Sequence, residues 1–554
     1  MERIFLIFLS FSLLSQSVAG GLYQRYLVRM KPVASPRSPG SGNTVGYLKE
    51  QGRASLRPLM RVIQQNDQSL GLPRAPRSPT SHPVKSVSEL WLVNAAAIIC
   101  QQSYLEKLKN LDGVAEIIPD EVMEFSLGDS QDRGMAQHAD RSGVEAYHQE
   151  GLNGQDILVG ILDTGIEDHE IFSKRIMAYK DFTSSPQNQP MDPVGHGTHV
   201  AGILAGGSYQ GQVLGMAPRA KLVVARVLEP ISKEGGTDAV NRRVKAFASR
   251  VLNAMQWMID PDGDPSTNDA PAVINNSWGF PDGLPITRPL FEDALSKWIE
   301  IGITPVFAAG NNGKKGENTI LFPGNLKQVI TVGALKDNRR APFSGIGSAD
   351  VTKPDFMAPG YRIHSLKKYG KTYLLGPMSG TSMAAPFITG LTVLMRQFDP
   401  LLGPDELYQV LKDSSRDLGD EGWDPEHGWG FPHPKTLNPI LKQHWKARVE
   451  KGGKRGLRYY REFYFQWLET RNPQVQRRLI DTELGLLAFV ESHFQAGHGL
   501  EPVLKLWLNQ LEQLSRNEPD PYLPLYKRIL KRIRFLSIPH DSKSNEKKAV
   551  QPSQ

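Results

Sequence analysis

One cysteine, Cys100, stands in the whole chain, so no intramolecular disulfide can form. A small disulfide-stapled ectodomain is excluded, and stability must come from a large core. Past the N-terminus no run is apolar for long enough to cross a bilayer as a helix. The neighbouring histidines His196 and His199 lack the glutamate and third ligand of a zincin, which argues against a catalytic metal. No nucleic-acid-binding motif is present. Basic excess is missing from most of the chain: residues 441–554 hold 21 Lys/Arg against 12 Asp/Glu, so the remainder carries about −2 of the +7 net charge. What is there is a folded, loop-rich composition, 40% hydrophobic with 51 glycines and 40 prolines, over 554 residues. That length suggests about three domains.

Residues 1–20 have a charged start, an apolar run from Ile4 to Leu14 broken only by serines, and a small-residue site at Ser17–Ala19. They read as a secretory signal, with a membrane anchor as the alternative. Beyond it, Tyr23–Met30 predicts a strand, and residues 32–82 a Pro/Ser/Gly/Arg-rich insertion with a helical patch at Leu56–Gln65. Glu89–Cys100 is β-like. Ser103 caps a helix carrying Leu105, Leu108 and Leu111, and Val114–Pro119 is another strand. The order β, loop, β, α, β describes a small α+β unit, with Cys100 in its core. Residues 126–150 suit an exposed connection. At the other end, Trp445–Leu468, Gln474–Gln495 and Pro502–Leu514 have helical periodicity and Tyr526–Phe535 is basic. They predict a helical basic extension over 441–540 with a disordered tail at 541–554. It is either a docking module for an anionic surface or partner, or an appendage packed on the rest.

Between these ends the apolar runs Ile157–Leu162, Leu222–Leu228, Ala272–Asn276, Ile303–Ala309 and Val329–Leu335 alternate with helical stretches, notably Asp238–Met258 and Pro289–Ile301. Continuous apolar runs are strands covered on both faces, so a three-layer α/β domain with a mostly parallel sheet is expected over 128–440. Ligands in such sheets bind beyond the carboxyl ends of the strands. Asp163, Asn275–Gly279 and Gly310-Asn311 fall at such ends. Ser382 precedes the nearly uncharged run Met383–Met395, which reads as a buried helix beginning near that serine, with Pro386 in its first turn. Free N–H groups at a helix start suit a developing oxyanion. His196 lies between Gly195 and Gly197, 33 residues after Asp163; His199, one turn on, reads as a packed structural histidine.

Asp, His, Ser in that chain order is the order of the subtilisin triad. Asp163-Thr-Gly-Ile166, Gly195-His-Gly-Thr-His-Val-Ala-Gly202 and Gly380-Thr-Ser-Met-Ala-Ala-Pro386 resemble the three active-site signatures of the subtilisin-like (subtilase) serine proteases. Asn275-Asn-Ser-Trp-Gly279 and Ala308-Ala-Gly-Asn311 resemble that family's substrate strand and oxyanion stretch. Phe343-Ser-Gly345 and Phe356-Met-Ala-Pro-Gly360 also have counterparts there. The resemblance covers about residues 150–440. More loosely, residues 21–127 are similar to the family's inhibitory prosegment. It implies Ser382 as nucleophile, His196 as base, Asp163 as its orienting carboxylate, and Asn311 with the Ser382 N–H as oxyanion donors. Ser277, Trp278 and Gly279 would pair with substrate, and Ala309, Gly310 and Leu321 would line its first pocket. Leu321 stands where many relatives have glycine, which implies a shortened pocket favouring small or medium apolar side chains. The formal glycosylation sequon at Asn275 is discounted, because a strand against substrate is a poor acceptor.

The expected function is therefore an exported serine endopeptidase made as a zymogen, cut near residues 124–135, with polypeptide substrates and its own prosegment as inhibitor. A catalytically silent binding protein and another acyl hydrolase are the alternatives. The chemistry requires no cofactor. A structural calcium is indicated at no specific site: Gly206–Gln212 lacks the oxygen side chains of the family's strong calcium loop, and Asp260–Asp264 and Asp420–Asp424 are acidic enough only for a weak one, solvated loops being the plainer reading.

Overall fold

A computed structural model describes residues 23–33, 44–68, 83–120, 122–127, 143–149, 151–231, 243–267, 269–280, 286–348, 350–370, 372–399, 402–441 and 443–444. The leader at 1–20, the tail at 541–554 and all but the first residues of the extension at 441–540 lie outside them. Among the described residues no helix is long and apolar enough to cross a membrane.

The N-terminal region is a four-stranded antiparallel sheet, in the spatial order Val84–Leu90, Ala95–Gln101, Tyr23–Met30, Val114–Pro119. Its chain order is β-α-β-β-α-β, one strand richer than the sequence predicts and with the insertion's helical patch grown into a full helix. The β-like run Glu89–Cys100 breaks into two strands because Asn94 turns the chain with φ 52° after a helical turn at Trp91–Val93. The insertion contains a helix of 25 residues, Thr44–Gln68, despite Pro58 within it. Gly52 is what lets that helix seat: a Cβ there would lie 1.9 Å from the Trp91 carbonyl oxygen. Ser103 is the second residue of helix Gln102–Lys109 rather than its cap. Cys100 is fully buried, and burial pushes its thiol up to about 11, as fits a core residue.

The larger region is built on a sheet with the strand order Arg339–Arg340, Ile330–Lys336, Thr304–Ala308, Val273–Asn276, Leu158–Asp163, Lys221–Arg226, Ile176–Asp181, with Phe356–Pro359 also paired to Ile330–Lys336. All of these pairs are parallel except that of Arg339–Arg340. The five apolar runs named from the sequence are its central strands, and nearly every residue in them is buried. The reversal of strand order beside Leu158–Asp163 opens a crevice at the carboxyl ends of the strands, where a doubly wound sheet takes its ligand.

The helix expected over Asp238–Met258 is shorter, Ala248–Trp257, because Arg243–Phe247 is a strand. Two segments hold it extended: Glu229–Pro230 on one edge and Val122–Ser126 on the other, both antiparallel. The buried helix is Thr381–Phe398, which puts Pro386 in its second turn, not its first. A proline there removes the N–H that would bond the Ser382 carbonyl. The Ser277 hydroxyl takes that place, donating to the Ser382 carbonyl at 2.9 Å. The proline that looked like a helix-start signal instead ties the helix to the neighbouring strand.

Candidate active site

Asp163 is the last residue of its strand and is fully buried. Its Oδ1 accepts the Thr164 N–H at 2.7 Å and faces His196 Nδ1 at 2.7 Å. That contact sets the proton on Nδ1 and leaves Nε2 as the free nitrogen of the ring. His196 opens helix His196–Ala205, 2% exposed, and its Nε2 is buried with no hydrogen-bond partner among the described residues. The glycine after it is a steric need. A Cβ on Gly197 would meet the Gly165 carbonyl oxygen at 2.1 Å and the Asp163 Cβ at 3.2 Å. His199 is also fully buried, facing the Gly376 carbonyl through Nε2 at 3.1 Å, and burial pushes its pKa down to about 3. It is a neutral structural histidine.

Asp192, which the sequence did not single out, organises this corner. Its carboxylate is 1% exposed and accepts from the Thr164 hydroxyl, the Val194, Gly195 and Thr198 N–H groups and the Thr198 hydroxyl, at 2.7–3.2 Å. It thereby ties the residue after Asp163 to the start of the helix that presents His196. The only sequence signal was a carboxylate just ahead of a helix N-terminus.

Ser382 is the second residue of its helix and 4% exposed. Its hydroxyl donates to the Ser277 carbonyl at 3.1 Å, not to His196. Asn311 is aimed by its neighbours: its Oδ1 accepts the Thr381 N–H at 3.0 Å and the Thr381 hydroxyl at 3.2 Å. Both ends of the amide lie against the Gly380–Ser382 turn, Nδ2 3.5 Å and Oδ1 3.6 Å from where a Gly380 Cβ would stand, and with Oδ1 engaged Nδ2 is the end left to donate. Thr381 also fixes Gly310, accepting its N–H at 3.0 Å.

Ser277, Trp278 and Gly279 continue the strand Val273–Asn276 and are all buried. Asn275 is fully buried, bonded to the Ser277 and Thr389 hydroxyls, so the sequon is no surface acceptor. Ala309 receives the Leu321 N–H at 3.0 Å. Leu321 lies between two glycines: Cβ atoms added to Gly279 and Gly310 would come within 2.7 Å and 2.4 Å of it. Its side chain fills the space those glycines leave. Beside them, Phe125 of strand Val122–Ser126 meets Phe280 edge-on at 5.9 Å, and Leu127 is 3% exposed. Of the two acidic loops, Asp420–Asp424 is a turn. Its Asp424 accepts the Glu426 and His427 N–H groups at 2.8 and 2.9 Å.

Residues 154–430 match the family model described as Subtilase family. Among curated proteins the chain is 28% identical over 382 residues to Bacillopeptidase F of Bacillus subtilis (strain 168), and 34% identical over 297 residues to Serine protease AprX of the same strain. These matches take in 62% and 49% of this chain but only 25% and 63% of those proteins, so the chain spans less than two thirds of their length. With Subtilisin NAT of Bacillus subtilis subsp. natto it is 32% identical over 330 residues, 59% of this chain and 77% of that one. A solved protease from Pseudoalteromonas arctica PAMC 21717 aligns with a TM-score of 0.44 at 25% identity, over 53% of this chain and 93% of its own.

Proposed function

The chain belongs to the subtilase family, and from that premise we propose that it is a serine endopeptidase made as a zymogen. The observation that carries this reading is the buried Asp163–His196 contact, with Nε2 unpartnered among the described residues and His196 on a helix that packs against the one bearing Ser382. In the proposed reaction the Ser382 hydroxyl leaves the Ser277 carbonyl, and that carbonyl becomes free to accept a substrate N–H. His196 Nε2 takes the hydroxyl proton as Oγ attacks the scissile carbonyl. Asp163 holds the tautomer and stabilises the imidazolium. The oxyanion is met by the Ser382 N–H, one of the orphan donors of the helix start, and by the Asn311 amide that Thr381 has oriented. The proton then passes to the leaving amine, and water repeats the sequence on the acyl-enzyme.

Residues 21–127 are read as the prosegment, 128–440 as the catalytic domain and 1–20 as an export signal. The strand Val122–Ser126, antiparallel on Arg243–Phe247, has the form of a bound peptide and supports inhibition by the N-terminal region. Phe125 and Leu127 mark apolar subsites, and Leu321 shortens the pocket nearest the reacting bond so that it favours small or medium apolar side chains.

The test is expression of the full chain as wild type and as Ser382→Ala. The wild type is expected to lose its N-terminal region by a cut within 124–135 and to hydrolyse casein; Ser382→Ala is expected to do neither. Retention in both would favour the binding-protein reading. Leu321→Gly is expected to raise cleavage after Phe and Tyr at least tenfold in a peptide library, and an unchanged profile would remove Leu321 from the pocket.

A further inference from the structure

Helix Thr44–Gln68 lays Lys49 over the loop Asp260–Asp269. The loop reads Asp-Pro-Asp-Gly-Asp-Pro-Ser-Thr-Asn-Asp, four carboxylates with no basic residue. Carboxylate oxygens of Asp260, Asp262 and Asp269 lie within 4.8 Å of one another. A cation already sits among them. The Lys49 ammonium is ion-paired with Asp260, the two side chains 14% and 2% exposed, and lies 3.3 Å from the Gly263 carbonyl. Asp260 Oδ1, on that almost wholly buried side chain, has no hydrogen-bond partner among the described residues.

We propose that this loop is a divalent-cation site of the calcium class, and that the Lys49 ammonium holds the cation's place while the N-terminal region is docked. The oxygen set is the one a hard cation takes, carboxylates together with a backbone carbonyl. A single ammonium answers one charge of the four and offers at most three N–H donors to the oxygens around it. With the helix still over the loop but the Lys49 ammonium gone, Asp260 is a buried carboxylate that has lost its ion-pair partner, an unfavourable state that a cation relieves. Cation binding and docking of the N-terminal region are therefore competitive, and by linkage each weakens the other by the same factor. Release of the N-terminal region rests on the peptidase reading, whereas the cation-binding readout does not, because the loop takes no part in the chemistry of Asp163, His196 and Ser382.

The test uses the full chain carrying Ser382→Ala, which keeps the N-terminal region attached, and terbium as the probe. Trp257, whose indole N–H donates to the Pro261 carbonyl at 3.0 Å, is placed to sensitise terbium emission from this loop. Adding Lys49→Met is expected to bring saturable sensitised emission, displaced by calcium, with affinity at least tenfold above the Lys49 parent. Lys49→Arg, which keeps a cation in place, is expected to bind as weakly as the parent. Asp262→Asn with Asp269→Asn, both at the loop's surface side, is expected to abolish the gain in the Lys49→Met background. Equal terbium affinity with and without Lys49, or emission that survives loss of both carboxylates, overturns the proposal.

Discussion

The N-terminal region and the parallel-sheet region share one apolar cluster, running from Tyr26, Leu27 and Trp91 to Leu252, Met255, Phe291 and Trp298. They differ in what surrounds that cluster. The N-terminal region is fastened by charge, at two buried carboxylates and one partly exposed pair: Arg25 and Ser249 both bond Asp120, Lys49 meets Asp260, and Arg29 meets Asp293. The site on the parallel sheet is held mainly by hydrogen bonds among backbone groups, hydroxyls, one amide and two buried aspartates. A charged group can be exchanged for another ion, and a partly exposed pair such as Arg29–Asp293 is also screened by salt, whereas a buried hydrogen-bond network must keep every partner. The contrast is the one that the proposed release of the N-terminal region requires.

The comparison can be broken most sharply at Asn311. Asn311→Leu removes one aimed donor and is expected to lower kcat by ~10²–10³ with KM little changed, a magnitude taken from subtilisin itself. A loss of KM alone would place Asn311 in binding, not in the oxyanion site.

Asp120→Ala comes next. It strips the start of helix Ala248–Trp257 of a carboxylate that bonds both the N–H and the hydroxyl of Ser249. The cleaved N-terminal region should then inhibit about 30-fold less well, corresponding to roughly 2 kcal/mol.

His199 sharpens the other side. The folded chain refuses a proton there until about pH 3, whereas the unfolded chain accepts one near its ordinary value of about 6.5. Stability therefore falls as pH drops through that window, by about 1.4 kcal/mol per unit from this group. His199→Gln should flatten the slope of denaturant midpoint against pH between 6.5 and 5 by one proton's worth. The smallest effect is expected at Arg29 and Asp293, partly exposed side chains whose pairing contributes under about 1 kcal/mol. Arg29→Gln should change inhibition by the N-terminal region less than fivefold, and less still at high salt.

Legibility in the sequence followed burial. The central strands were readable because residues covered on both faces form unbroken apolar runs. The edge strand Ile176–Asp181 was not, since Met177 and Lys180 face solvent and dilute the pattern. Arg243–Phe247 is too short for its own periodicity to separate strand from helix, and the answer lay in its two partners. Only Leu56–Gln65 of helix Thr44–Gln68 was readable, its first half being obscured by Gly52, which serves the approach of Trp91. At the site, the Gly-flanked Asp163, His196 and Ser382 stood out, while Asp192 and Thr381, which aim the other groups, carry no motif.

Residue order and local pattern alone determined the family, the sheet's central strands and the groups able to do chemistry, because each is written within a few consecutive residues. Only the tertiary structure decided that the Ser382 hydroxyl rests on Ser277, that Thr381 holds the Asn311 amide, and that Lys49 pairs with Asp260. Those contacts join segments far apart in the chain, and no local periodicity can encode a distance that the packed sheet and its helices alone create.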